Sequence, residues 1–200
     1  MNAPFNLKEL EQKAFRSFYQ DGIWDIFFGL MMLAMYAFTF FNDNFENKAL
    51  RILALVFIEI AAMFFLIYAK KLITTPRLGQ VVFGKKRRKN LLNIFLTNLA
   101  SVIVLAAWFA YKTAHPSALD NDTLISISLG VWITFITSVM AYFLDFNRLY
   151  IYALIYGATF TAVLLLGLPI LFLAAALLIL IPGGVIFFRF LSTTKPIREE

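Results

Sequence analysis

The chain has 200 residues, of which 61% are hydrophobic and 15% charged, and its formal net charge is +6. Soluble domains average about 45–50% apolar and about 25% charged residues, so this composition, with a mean hydropathy of +0.78, leaves no room for a disordered chain and argues against a soluble globule. Cysteine is absent and His115 is the single histidine, which removes disulfides, thiolate metal sites, cysteine nucleophiles and most imidazole chemistry.

The reading is therefore an all-α integral membrane bundle. Residues 6–20 come first. Leu7, Leu10, Ala14 and Phe18 share one side at helical spacing, with Lys8, Gln12 and Arg16 opposite and Glu11 intruding on the apolar side. This pattern predicts a short amphipathic helix on the inner leaflet, with a solvated helix packed on the loops as the alternative. A spanning helix needs about 20 mostly apolar residues, and six such stretches follow, at about 22–41, 49–69, 91–111, 123–144, 149–166 and 170–190. Between Leu149 and Leu191 the one charge is Arg189, and Gly167-Leu168-Pro169 divides that run into two spans. The first span has full length and no small-residue cleavage pattern, so it is expected to act as both targeting signal and anchor.

Lysine and arginine in the loops set the orientation. With six spans, every basic residue except Lys48, Arg51 and Lys112 falls on the side of the two termini. The expectation is a cell (inner) membrane protein with both termini in the cytoplasm and a tail from residue 192.

Glu59 lies at the middle of the second span. A carboxylate near the bilayer midplane costs a few kcal/mol or more and marks a pathway or a partner. The third span offers Asn93, Thr97 and Ser101 on one stripe, with Asn98 beside it, and Ser101 at Glu59's depth. Two readings stand: a proton or cation site, or a neutral side chain hydrogen-bonded across a helix pair.

Asp21 and Asp25 form an i, i+4 pair at the inner edge of the first span. They read either as a cation-binding mouth or as ion-pair partners that pin the basic 70–90 loop to the bundle. That loop carries Lys70, Lys71, Arg77, Lys85, Lys86, Arg87, Arg88 and Lys89 and no acid. Such a run beside a span gains roughly 1 kcal/mol per charge from an anionic leaflet. Residues 75–79 read as an ordered turn and 80–83 as a short extended segment. Residues 79–86 come one residue short of a phosphate-binding loop, but Lys86 stands where the magnesium-holding hydroxyl belongs, so the likeness is discounted, as is the Asn121-Asp122-Thr123 glycosylation pattern beside the fourth span.

Ser126, Gly130, Thr134 and Ser138 repeat at four-residue spacing in the fourth span, and Ala153, Gly157 and Thr161 in the fifth. Both stripes read as close-packing surfaces. Pro182-Gly183-Gly184 predicts a kink in the sixth span.

The pattern Asp21-Gly22-x-x-Asp25-x-x-x-Gly29-Leu30, followed by Thr75-Pro76-Arg77-x-Gly79-x-Val81, resembles an uncharacterised family of small prokaryotic polytopic membrane proteins. The resemblance covers the first two spans and the loop. It implies no activity, and it implies that the Asp pair and the Pro-Arg-x-Gly turn belong to one structural unit.

No catalytic constellation, metal-ligand cluster or cofactor motif is present, so the expectation is not an enzyme, with no metal and no cofactor. The favoured class is a small accessory or interaction protein that docks a partner or anionic lipid through the 70–90 loop. The partners would be lipid head groups, a membrane protein or a second copy of the chain, and not nucleic acid, since no soluble domain presents the charge. The alternative is a carrier or channel for an ion or small solute, built around Glu59.

Overall fold

The computed structural model describes residues 19–44, 48–78, 85–114 and 122–194. Within them the order is α1 (Ile23–Asn44), α2 (Lys48–Ala69), a π-helical turn (Lys70–Thr74), α3 (Thr75–Leu78), α4 (Lys85–Ala114), α5 (Asp122–Leu144), α6 (Arg148–Leu166) and α7 (Ile170–Thr193). No strand occurs among the described residues. Six segments are long and apolar enough to cross a membrane, and helices are what such sequences form in lipid, because each backbone N–H and C=O finds its partner within the segment. The protein is an all-α, multi-pass membrane protein. The amphipathic segment expected at 6–20 lies outside the described residues up to residue 18, as do 79–84, the loop around His115 and the tail from 195.

The second span is longer than the hydropathy pattern indicates. Where the sequence suggests a loop from residue 70, the helix continues to Leu78, and the next helix starts at Lys85. The cause is local. The backbone N–H and the hydroxyl of Thr75 both donate to the carbonyl of Lys70, which closes a π-turn instead of ending the helix. Pro76 follows one residue later and has no N–H to donate to the preceding turn.

The described residues belong to two compact units, one drawn from Met1–Phe83 and Leu173–Glu200, the other from Gly84–Phe172. In the first, α1 buries Ile23, Met32 and Ala34, and α7 buries Ala175, Ala176 and Ile179. The covered side of α2 is the stripe Leu55, Ile58, Glu59, Ala62, Leu66 and Ala69, at helical spacing. Helix α7 runs unbroken through Pro182. Gly183 has a packing role: a Cβ there would sit 2.8 Å from the Cβ of Asp25, so the bare backbone lets α7 lie directly against the start of α1.

The second unit is organised by the α5–α6 hairpin. Its turn is tight, with Phe146 N–H donating to Ala141 O at 3.1 Å and Asp145 at φ +52, a conformation Asp tolerates better than most residues. The two helices touch through their small residues. A Cβ on Gly130 would strike the Thr161 hydroxyl and lie 2.6 Å from Gly157 O; a Cβ on Gly157 would strike the Thr134 hydroxyl and lie 2.5 Å from Gly130 O. Thr134 Oγ1 reaches Ala153 O at 3.3 Å, and Thr161 Oγ1 reaches Ser126 O at 3.3 Å. Each contact has its counterpart when 126, 130 and 134 are exchanged for 153, 157 and 161, so the hairpin has a local two-fold axis between its helices. Beside this seam the larger side chains of Ile127, Val131, Phe135 and Leu154 border an apolar groove of about 770 Å³.

The seam gives a direct test. Gly157→Ala forces a methyl against a backbone carbonyl and is expected to cost about 1–3 kcal/mol, the usual range for overpacking, seen as a lower melting temperature in detergent. Adding Thr134→Ala removes one of the two obstructions and should recover part of the loss; full stability in Gly157→Ala would contradict the close approach.

Candidate functional site

The residues that start α1 explain the site. Gly22 has φ +80, and a Cβ on it would lie 2.6 Å from both Gly183 O and Phe187 N, so glycine is demanded twice, by conformation and by space. The turn it makes places Asp21 just ahead of the helix, where its Oδ1 accepts the Ile23 N–H at 3.2 Å. This carboxylate occupies a free N–H at the positive end of the helix. Asp25 follows one turn later, and both Asp residues have no exposed surface.

The other oxygen of Asp21 faces the end of the second span. Lys70 Nζ donates to Oδ2 at 2.6 Å in a buried ion pair, and Thr74 Oγ1 donates to the same atom at 2.5 Å. Lys70 and Thr74 are both buried, and they are the first and last residues of the π-turn. Such turns are frequent at functional positions, and this one is closed on the carboxylate of another helix. Aromatic rings pack on one another at the start of α1: Trp24 lies against Tyr19 and Phe28 with centroids 5.6 and 6.0 Å apart. With water kept out, both the attraction between the charges and the penalty for losing one partner are larger than at a surface.

Just beyond the ion pair, Arg77 joins two chain segments. Its Nε donates to Thr194 O at 3.1 Å, at the end of α7, and its Nη1 to Ile73 O at 3.0 Å. A cation on the carbonyl end of a helix is favoured by the helix dipole as well as by the hydrogen bond. Asp21, Asp25, Lys70, Thr74, Arg77 and Gly183 thus belong to one unit.

The other residues singled out from the sequence are placed as follows. Glu59 is half-buried on the covered stripe of α2, and no described residue donates a hydrogen bond to it or pairs with it. It belongs to the first unit. The α4 stripe belongs to the second, half-buried and turned on its own backbone: Thr97 Oγ1 donates to Asn93 O at 2.8 Å, Asn98 Nδ2 to Ile94 O at 2.9 Å, and Ser101 Oγ to Asn98 O at 2.7 Å. Lys85, Lys86, Arg87, Arg88 and Lys89 form the first turns of α4; the side chains of the first four lie outside the described ones, and Lys89 is exposed. No cluster of three or more metal-ligating side chains occurs among the described residues.

An open cation mouth at Asp21 and Asp25 does not fit this geometry, because both carboxylates are enclosed and Asp21 already accepts from three donors. Sequence reasoning did not single out Thr74, it read Gly183 only as part of a kink, and it counted Lys70 only as a loop charge. The spacing shows only that Lys70 and Thr74, four apart, share one side of a helix if the helix continues past residue 70. Comparison of the chain with family models, with curated proteins and with solved structures gives no match.

Removing one member of the pair isolates a buried charge. Lys70→Met is expected to lower stability by about 3–5 kcal/mol, read by thermal unfolding in detergent. Asp21→Leu combined with Lys70→Met should cost clearly less than the two single changes added together. Strict additivity would show that the charges do not interact.

Proposed function

We propose that this protein is an accessory or interaction component of the cell (inner) membrane, with both termini in the cytoplasm, that docks an anionic lipid surface or an acidic membrane partner through its basic segment between the second and third spans. The observation that carries the reading is where the basic run stands. Lys85, Lys86, Arg87, Arg88 and Lys89 occupy the N-terminal turns of α4, and the first turn holds no acid. The N-terminus of a helix carries about half a positive charge, which disfavours cations there, and five like charges in adjacent positions repel one another. An arrangement unfavourable in the isolated chain becomes favourable against an external anion.

The enclosed ion pair supports the same reading. It fixes the extension of the second span through Leu78, so the segment leading to the basic run starts from a rigid base. A carrier is the second reading, and it rests on Glu59, half-buried in α2 with no described donor.

Two experiments separate the readings. Replacing residues 85–89 by Gln should weaken binding to anionic liposomes, with the difference from wild type shrinking as salt rises and screening sets in; reporter fusions at the C-terminus must first show unchanged insertion. Equal binding by the variant would defeat the docking reading. Glu59→Gln keeps shape and hydrogen-bonding capacity and removes titration, so it should leave folding and liposome binding unchanged. If wild-type proteoliposomes move protons or cations and Glu59→Gln abolishes that flux, the carrier reading replaces this one.

A further inference from the structure

We infer that Arg77 is the centre of a binding site for the phosphate of an anionic phospholipid, with Lys71 and Arg189 contributing charge from the two chain segments it joins; this rests on the docking reading and names its ligand. The guanidinium is held in place by two backbone carbonyls, Thr194 O and Ile73 O. Those bonds use two of its five N–H groups and leave three donors on a planar fork whose orientation is already fixed. A guanidinium so held matches the tetrahedral oxygens of a phosphate better than a mobile lysine does.

Its place in the chain suits a head group. Arg77 is the last residue of the apolar segment Ile52–Arg77, which is long enough to cross a membrane, and long cationic side chains at the end of a span reach the head-group layer. The surrounding charge is of one sign. Lys71 and Arg189 are exposed on the same two chain segments that Arg77 joins. The described acids of this end, Asp21 and Asp25, are fully enclosed, and Asp21 is neutralised by Lys70. Arg77, Lys71 and Arg189 therefore have no described carboxylate paired with them. A zwitterionic head group brings its own cation into this field, whereas an anionic one does not, so the site selects phosphatidylglycerol-like lipids over phosphatidylcholine.

The test titrates full-length protein in a non-ionic detergent with short-chain phosphatidylglycerol, short-chain phosphatidylcholine and inorganic phosphate, reading the melting temperature. Wild type should show saturable stabilisation by phosphatidylglycerol and little by phosphatidylcholine. Arg77→Gln should weaken the phosphatidylglycerol affinity by about five-fold or more, the worth of one interfacial charge, and Arg77→Lys should fall between. The 85–89 Gln variant should keep the saturable response, so loss of liposome docking in that variant and loss of the Arg77 site are separate results. Equal affinity in wild type and Arg77→Gln overturns the inference. So does Arg77→Lys equal to wild type, since a point charge would then suffice, and so does inorganic phosphate binding as tightly as the lipid. If Arg77→Gln does not fold, Lys71→Gln with Arg189→Gln decides: weaker lipid affinity supports the site, and unchanged affinity overturns it.

Discussion

The enclosed pair between Asp21 and Lys70 constrains the rest of the first unit. In lipid the helices gain little from hydrophobic association, because acyl chains are as apolar as the side chains they replace. Position and rotation are then left to polar contacts and to close van der Waals packing. A lysine at the end of a span would ordinarily extend toward the interface. Lys70 instead turns inward to a carboxylate at 2.6 Å, and that choice has consequences along the chain. It sets the rotation of α2 against α1, it brings Thr74 onto the same oxygen, and it accompanies the π-turn by which the helix continues past Lys70 to Leu78. A buried pair of this kind is weak evidence for added stability, since desolvation offsets much of the attraction. Its effect is to make other rotations of α2 expensive, because each would leave one charge alone in an apolar setting.

Glycine makes the pair accessible. Gly22 supplies the positive φ that turns Asp21 back over the start of α1, and with Gly183 it lets α7 approach closely enough to help cover the site. The second unit uses the same chemistry without charge. Across the α5–α6 seam, glycines bring the backbones together in two-fold fashion, so the Thr134 and Thr161 hydroxyls donate to Ala153 O and Ser126 O on the facing helix. The two units thus show two solutions to one problem, specifying a helix pair where lipid competes for every apolar surface.

Much of this was legible in the sequence, for identifiable reasons. Six apolar runs of span length imply six helices because lipid offers no partner for a free backbone amide. The small-residue stripes at 126–138 and 153–161 were visible as close-packing surfaces, although their two-fold pairing depends on the register of an antiparallel contact, which spacing within each helix does not fix. The extension to Leu78 was hidden because Lys70, Lys71 and Pro76 look like a helix end by composition; a tertiary contact and a π-turn overrode the local signal. Asp21 was recognisable as a residue in need of a cation. That its partner is Lys70, the first charge after the span, could not be chosen from a segment offering many cations. Pro182-Gly183-Gly184 was legible as a place where the helix is loosened, but the packing role of Gly183 is set by Asp25 on another element, which the pattern of one helix does not show.

The balance between docking and transport turns on how each unit uses its polar groups. A transport path needs polar atoms that can exchange partners with water or cargo as the substrate passes. In the first unit, Asp21 accepts from a lysine, a threonine and a backbone amide at once, so binding a passing cation would mean displacing Lys70 into an apolar setting. In α4, Thr97, Asn98 and Ser101 donate to carbonyls of their own helix, which satisfies the side chains without lining a path. Among the described side chains Glu59 keeps a carboxylate with no described donor, and a single acid without a described relay partner gives a proton no onward step. The cations show the opposite pattern: Arg77 retains donors beyond its two carbonyls, Lys71, Lys89 and Arg189 are exposed, and the 85–89 run sits at the helix end that repels it. Among the described residues the cations without a carboxylate partner are Arg77, Lys71, Lys89 and Arg189, and this pattern supports the proposed docking over the proposed transport.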